Sequence, residues 1–367
     1  MMNLLPLRGR ALAPAADLPL LIALCMLCAL GMMVLYGVGA EGAELLRRQG
    51  ARIALAFALM FVFALIPPAA LQRWSPHLYA VGIALLLLVL LTGSAAKGAQ
   101  RWLDFGLFRF QPSELIKLAL PMMLAWTLTR FPLPTRGLTL VLAAAVLAAP
   151  FALVVIQPDL GTAVVILLSG GMMIFLAGIS WRVILGLGAA AGALVPILWA
   201  MLHDYQRRRI LTLFDPWSDP LGAGYHTIQS VIAVGAGGWS GKGWLAGTQS
   251  RLDFIPESST DFIFAVYAEE FGLLGGLLLL GLYLFVVARG LIIAFAARDA
   301  YSRLLGGCLS LGFFLQVFFN MGMVSGIFPV VGMPLPLLSY GGTSMATTMI
   351  AFGMIMSIRR ERMAQSQ

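Results

Sequence analysis

Long apolar runs separated by short polar breaks occupy almost the whole chain. They lie near 18–40, 51–70, 77–93, 113–129, 138–156, 160–178, 181–202, 267–296, 303–323 and 342–358. A helix needs roughly 20 mostly apolar residues to cross a bilayer core. The pattern therefore predicts an all-α polytopic membrane protein of ten transmembrane helices, read as a single domain over 1–367. The runs are continuous and do not alternate with period two, which excludes a β-barrel reading. Small residues recur inside them, as in the glycine-alanine stretch from Gly186 to Gly192, and such faces let membrane helices pack closely. The first run has no Ala-x-Ala cleavage pattern and is too long for a signal h-region, so it is expected to remain as a helix.

With 60% hydrophobic and 11% charged residues, each charge calls for a reason. Placing the N-terminus in the cytoplasm puts Arg8, Arg10, Arg73, Arg130, Arg136, Arg182, Arg289, Arg298, Arg303, Arg359, Arg360 and Arg362 inside, with only Asp17, Asp299 and Glu361 as acids. The positive-inside rule then sets both termini in the cytoplasm. The outer side keeps the other thirteen acids and eleven basic residues, with Lys117 at a helix end. Those outer cations run against the rule, and as a set they point to an anionic ligand. Cys25 and Cys28 have C-x-x-C spacing inside an apolar run, with Cys308 in another, which favours buried apolar thiols over redox or zinc chemistry. The Gly241-Lys242 pair fails as a phosphate loop, because Ala236 and Gly243 stand where that loop needs glycine and Ser/Thr. Neither a nucleotide or organic cofactor nor a nucleic-acid partner is expected.

The connection from about 203 to 262, between the seventh and eighth spans, is the long one and is placed outside. It carries the basic run Arg207, Arg208, Arg209, a glycine-dense stretch from Gly235 to Gly247, and the anchors Trp217, Tyr225, Trp239, Trp244 and Phe254. Long loops are functional or disordered, and these anchors favour order. Three outer clusters hold further candidates. In the first, Lys97, Arg101 and Arg109 precede Pro112 and Ser113, which mark a helix start with Gln111 or Ser113 near the cap. Glu114 and Lys117 then fall three apart on one face. They form either an ion pair that closes the helix end or a cation facing a polar cavity at the boundary. In the second, Asp159 of Gln157-Pro158-Asp159 either caps the next helix or shapes a site. In the third, Asp261 of Glu257-Ser258-Ser259-Thr260-Asp261 precedes Glu269 and Glu270. Spacing alone favours a cap there, while carboxylates near a basic row can also serve as general base or metal ligand.

Several stretches resemble the SEDS family (shape, elongation, division and sporulation). They are Phe110-Gln111-Pro112-Ser113-Glu114, Gly222-Ala223-Gly224-Tyr225, Gly241-Lys242-Gly243-Trp244, Thr260-Asp261-Phe262-Ile263-Phe264-Ala265 and Pro334-Leu335-Pro336-Leu337-Leu338-Ser339-Tyr340-Gly341-Gly342. The segment from Gly322 to Gly332 resembles the elongation (RodA) type of the family more than the division (FtsW) type. The resemblance covers essentially the whole chain. It implies a peptidoglycan glycosyltransferase that polymerises lipid II and works with a class B penicillin-binding protein among other elongation proteins. It also implies that Asp261 is the general base. Arg48, Lys97, Arg101, Arg109, Lys117, the Arg207–Arg209 run and Lys242 would then hold pyrophosphate, with Glu114 and Asp159 shaping the cavity. Guanidinium groups suit phosphate oxygens. A divalent cation, Mg²⁺ or Mn²⁺, bridging Asp261 and pyrophosphate is compatible with this chemistry, although the sequence has no dedicated metal motif. A lipid II flippase and a non-catalytic scaffold are the alternatives. Charges at the outer boundary rather than mid-membrane favour the enzyme.

Overall fold

The computed structural model describes residues 17–38, 42–92, 94–96, 99–104, 109–131, 133, 137–183, 215–220, 222, 224–252, 254–255, 257–330 and 332–364, with isolated positions between 185 and 211. Nine long helices run through these residues: α1 (Leu18–Gly37), α2 (Gly42–Leu65), α3 (Pro68–Thr92), α4 (Pro112–Leu128), α5 (Leu138–Ile156), α6 (Leu160–Leu176), α8 (Ile263–Phe295), α9 (Ala300–Val324) and α10 (Thr343–Ala364). A shorter helix, α7 (Tyr225–Ala236), precedes α8. The all-α class holds, and each of these nine helices answers to one apolar run; most of the remaining run, 181–202, lies outside the described residues. Six of the helices are long and apolar enough to cross a membrane by length and composition alone.

The helices form one apolar core from α1 to α10. Their packing sorts the chain into two ends. At the end near α7, called here the loop end, α1, α8 and α9 approach the segment 332–342, and α4 and α6 begin. At the far end α1 starts and α10 finishes.

The helix that starts at Gly42 begins nine residues earlier than the apolar run suggests. Its first turns are polar, and Glu44 pairs with Arg47 and Arg48 at 3.2 and 2.8 Å, three and four residues on. Such pairs support an exposed helical turn that hydropathy alone does not register. A three-stranded antiparallel sheet, not foreseen from the sequence, follows α3: β1 (Ser94–Ala96), β2 (Ala99–Asp104) and β3 (Arg109–Phe110). Leu103 faces Phe110 and Asp104 faces Arg109 across the β2–β3 pair.

The break in α8 accounts for the glycine-dense stretch. Gly272 has φ 64° and ψ −164°, a region essentially reserved for glycine. The backbone groups released there are taken up by the turn after α7. Leu273 and Leu274 donate to Gly238 and Trp239 carbonyls at 2.9 and 3.1 Å, and Lys242 and Gly243 donate to those of Glu269 and Glu270, both at 3.0 Å. Irregular backbone at a membrane boundary must be satisfied by protein in this way. Below the turn, fully buried Glu269 accepts from Lys242 Nζ at 2.7 Å, Thr248 N at 2.8 Å and Gln249 N at 3.1 Å.

The far end is closed by Asp17. Its buried carboxylate caps α1 by accepting from Leu20 N at 3.0 Å and binds Arg289 and Arg359 at 2.8 and 2.9 Å. Burial alone would raise the Asp17 pKa. The hydrogen bonds from Arg289 and Leu20 and the Arg359 charge outweigh it and hold the carboxyl below its ordinary value. A lowered folded pKa means the stabilisation is complete above the unfolded value, about 3.9, and is lost as pH falls from there through the folded value. In detergent, the unfolding midpoint should therefore fall more steeply below about pH 4 for the native chain than for Asp17→Asn; parallel curves would refute the assignment. Asp17→Ala should cost about 2–3 kcal/mol, less than a fully buried pair because both guanidinium groups keep some solvent.

Candidate active site

The first turn of α4 places Glu114 and Lys117 on one face, and their side chains meet at 2.7 Å. Glu114 is buried and also accepts from Thr347 Oγ1 of α10 at 2.9 Å, while Lys117 Nζ donates to Gln316 Oε1 of α9 at 3.2 Å. The pair thus closes the helix end, and Lys117 also lines a cavity. The cavity is small, about 40 Å³, and lies between α4, α6, α9 and α10. Lys117, Gln316, Thr347 and Thr348 supply its polar lining, and Leu309, Phe313 and Phe352 its apolar wall.

Asp159 is held firmly. It caps α6 through Thr162 N at 3.5 Å, accepts from Gln111 Nε2 at 3.1 Å and faces Arg101 at 3.6 Å. Arg101 also donates to the Pro158 carbonyl. Gln111 occupies the N-cap position of α4 but makes no side-chain cap bond there; Pro112 opens the helix. Arg101, Gln111 and Asp159 together tie the small sheet to the α5–α6 turn.

Asp261 sits on a non-helical turn, one residue before the position that caps α8, which Phe262 fills without a side-chain cap bond. The N-cap position that spacing gives to Asp261 is thus filled by Phe262. The turn starts at Glu257, whose φ is 53°, with Thr260 N and Phe262 N donating to its carbonyl at 3.0 and 3.3 Å. Three consecutive carbonyls of the turn are held from elsewhere: Ser259 by Tyr340 N at 2.8 Å, Thr260 by Ser339 Oγ at 2.6 Å, and Asp261 by Asn320 Nδ2 at 2.8 Å. The Asp261 carboxylate stands over Gly332, where an added Cβ would lie 3.4 Å from Oδ2.

Among the described residues, the remaining basic candidates each have a local partner. Arg48 is exposed and bound to Glu44 on α2, and Lys242 is committed to Glu269 and Thr248; the structure gives both an anchoring role. Arg207 donates to the Ala200 carbonyl at 2.7 Å. Lys97, Arg208, Arg209 and the Arg109 side chain lie outside the described residues. Sequence reasoning did not single out Arg52, whose guanidinium lies 4.2 Å over the Tyr340 ring, because it begins an apolar run. It also missed Asn320, Gln316, Ser339 and Thr347, which look like ordinary helix and loop polar residues until their partners are known. Cys25, Cys28 and Cys308 are free thiols, with Cys28 and Cys308 buried. Among the described residues, no group of three His, Cys, Asp or Glu could hold a metal ion.

Six of the described helices are long and apolar enough to cross a membrane, so the fold is that of a multi-pass membrane protein. Residues 12–364 match the FTSW_RODA_SPOVE family, described as cell cycle protein, and the chain belongs to that family, the SEDS family. It is 48% identical over 347 residues to the peptidoglycan glycosyltransferase MrdB of Escherichia coli K12, covering 94% of each chain. A chain from a solved structure described as structural coordination of polymerization and crosslinking by a peptidoglycan synthase complex superposes with a TM-score of 0.84 at 35% identity, covering 95% of this chain and 99% of that one. The rod shape determining protein RodA of Thermus thermophilus superposes with a TM-score of 0.72 at 30% identity, covering 95% and 98%.

Proposed function

We propose that the chain polymerises glycan strands from lipid II during cell-wall elongation, with its active site on the outer face of the inner membrane and both termini in the cytoplasm. The observation that carries this reading is the joint attachment of Asp261 and Lys117 to α9, through Asn320 and Gln316. These side chains lie four residues apart and therefore one above the other on the same helix face. A cation and the turn that carries a carboxylate, both bonded to one helix, suit glycosyl transfer from a pyrophosphate.

In this reading the 4-hydroxyl of the acceptor GlcNAc attacks C1 of the donor MurNAc. Asp261 takes the hydroxyl proton, the C1–oxygen bond to pyrophosphate breaks, and the anomeric centre inverts. A sugar hydroxyl is a poor nucleophile at neutral pH, and a positioned base contributes about 10²–10⁴-fold. Lys117 supplies positive charge to the departing pyrophosphate, oriented by Glu114; Arg101 and Asp159 tie the small sheet to the α5–α6 turn. For a divalent cation, Asp261 is the protein ligand on offer. That donor set fits an ion shared with substrate phosphates, since Mg²⁺ commonly takes one or two carboxylates and completes its shell with phosphate and water. The ion would add positive charge beside the leaving group.

The inferred partner is a class B penicillin-binding protein with one membrane span. An apolar groove of about 390 Å³ between α7, α8 and α9, with Leu273, Leu277, Phe314, Phe318 and Phe328 in its walls, offers a surface for such a helix.

The test is lipid II polymerisation by purified protein with and without that partner. Labelled glycan strands are expected, more of them with the partner present; no strands with either preparation would remove the assignment. The membrane side is checked separately. With the three native cysteines replaced, a cysteine put in place of exposed Trp239 should react with an impermeant thiol reagent from outside, and one in place of exposed Arg298 should not. The reverse labelling would overturn the outer-face site.

A further inference from the structure

We infer that Asn320 is a positioning residue for the reaction, setting the Asp261 turn at a fixed place relative to Lys117; this rests on the base role given to Asp261 above. Asn320 is fully buried in α9. Its single Nδ2 donates to two carbonyls from different segments, Asp261 O at 2.8 Å and Met333 O at 2.6 Å. The backbone on either side of the carboxylate, the turn that carries it and the segment containing Gly332 beneath it, is thus fastened to one side chain. Its Oδ1 is buried and, among the described residues, has no hydrogen-bond partner. An unpaired buried acceptor is costly, so an amide here is a poor choice for stability alone. It is a good choice for joining two carbonyls, because the amide NH₂ carries two donors.

The rest of the fastening has the same logic. Ser339 Oγ donates to Thr260 O and accepts from Leu335 N at 2.8 Å, closing its own segment onto the turn. One helical turn along α9 from Asn320, Gln316 holds Lys117 Nζ. The Asp261 turn and the cation are thus both bonded to side chains one helical turn apart on α9. Loss of the Asn320 bonds frees one anchor of the turn without touching the carboxylate, and misplacement on the order of 1 Å can cost about 10²-fold in rate.

The experiment compares the native protein with Asn320→Ala, each with its class B partner, in lipid II polymerisation. The variant should lose about 10- to 100-fold in kcat, with KM for lipid II within about threefold and partner binding unchanged. Asp261→Asn and the double variant complete a cycle, read at high enzyme and long incubation. Asn320→Ala should lower the residual rate of Asp261→Asn by less than threefold, because the carboxylate it positions is gone. Native kcat for Asn320→Ala, or the same fold-loss in both backgrounds, would overturn the inference. A native rate for Asp261→Asn alone would instead defeat the base assignment, and is read independently. Should Asn320→Ala fail to insert, Ser339→Ala decides: a kcat-only loss that vanishes without the Asp261 carboxylate is expected, and a native rate overturns the positioning scheme.

Discussion

Asp261→Asn should reduce lipid II polymerisation by about two to four orders of magnitude, the usual worth of a positioned general base. Membrane insertion, thermal stability and partner binding should stay at native levels. The change keeps shape and hydrogen-bonding capacity and removes basicity. The turn is held through its backbone by Tyr340, Ser339 and Asn320, so the substitution leaves those bonds intact. A helix-capping aspartate would behave differently, since replacing it would show in stability more than in rate. Near-native strand synthesis by this variant would withdraw Asp261 from the chemistry.

The largest structural effect is expected at the break in α8. In Gly272→Val the new Cβ would start 2.3 Å from Gly241 N and 2.8 Å from the Trp239 carbonyl carbon and oxygen, on a backbone that side chains avoid. Strain of about 1–3 kcal/mol adds to the loss of several loop-to-helix hydrogen bonds at about 0.5–1.5 kcal/mol each. Together these approach the whole stability of an ordinary domain, about 5–15 kcal/mol. The yield of monodisperse protein in detergent should collapse, and proteolysis should open the stretch from 237 to 248. Gly281→Ala lies in the same helix where an added Cβ meets no atom within 4 Å, and should be neutral or slightly stabilising. Equal yields and unfolding midpoints for the two variants would show that the turn does not depend on the glycine.

The helices were legible because hydropathy is a local property: a run such as 138–156 needs no knowledge of its neighbours, and the observed helix has the same bounds. The Glu114–Lys117 pair was legible for a similar reason, since three-residue spacing on a helix puts two side chains together whatever surrounds them. What depended on distant partners was not. Lys242 reads as a pyrophosphate-holding cation until Glu269, 27 residues on, arrives beneath it. Asn320 is one polar residue in a helix, and its meaning comes from carbonyls 59 and 13 residues away. The small sheet escaped notice because its strands of 3, 6 and 2 residues are too short for a period to show. The family resemblance supplied what spacing could not, lifting Asp261 above the cap reading.

The interruption at Gly272 also divides the mechanics of α8. Residues 263–271 are bonded through Glu269 and Glu270 to the stretch from Lys242 to Gln249, whereas the length beyond Gly275 packs among the membrane helices and is pinned at Arg289 by Asp17. The short upper stub therefore joins the turn at 237–248 to the Asp261 turn that precedes it. The lower shaft meets the same turn at its head, where Leu273 and Leu274 donate to Gly238 and Trp239, and is anchored further along at Arg289. Under the proposed function, the turn and the base therefore share one short connector, residues 263–271, set off from the rest of the helix by the break at Gly272.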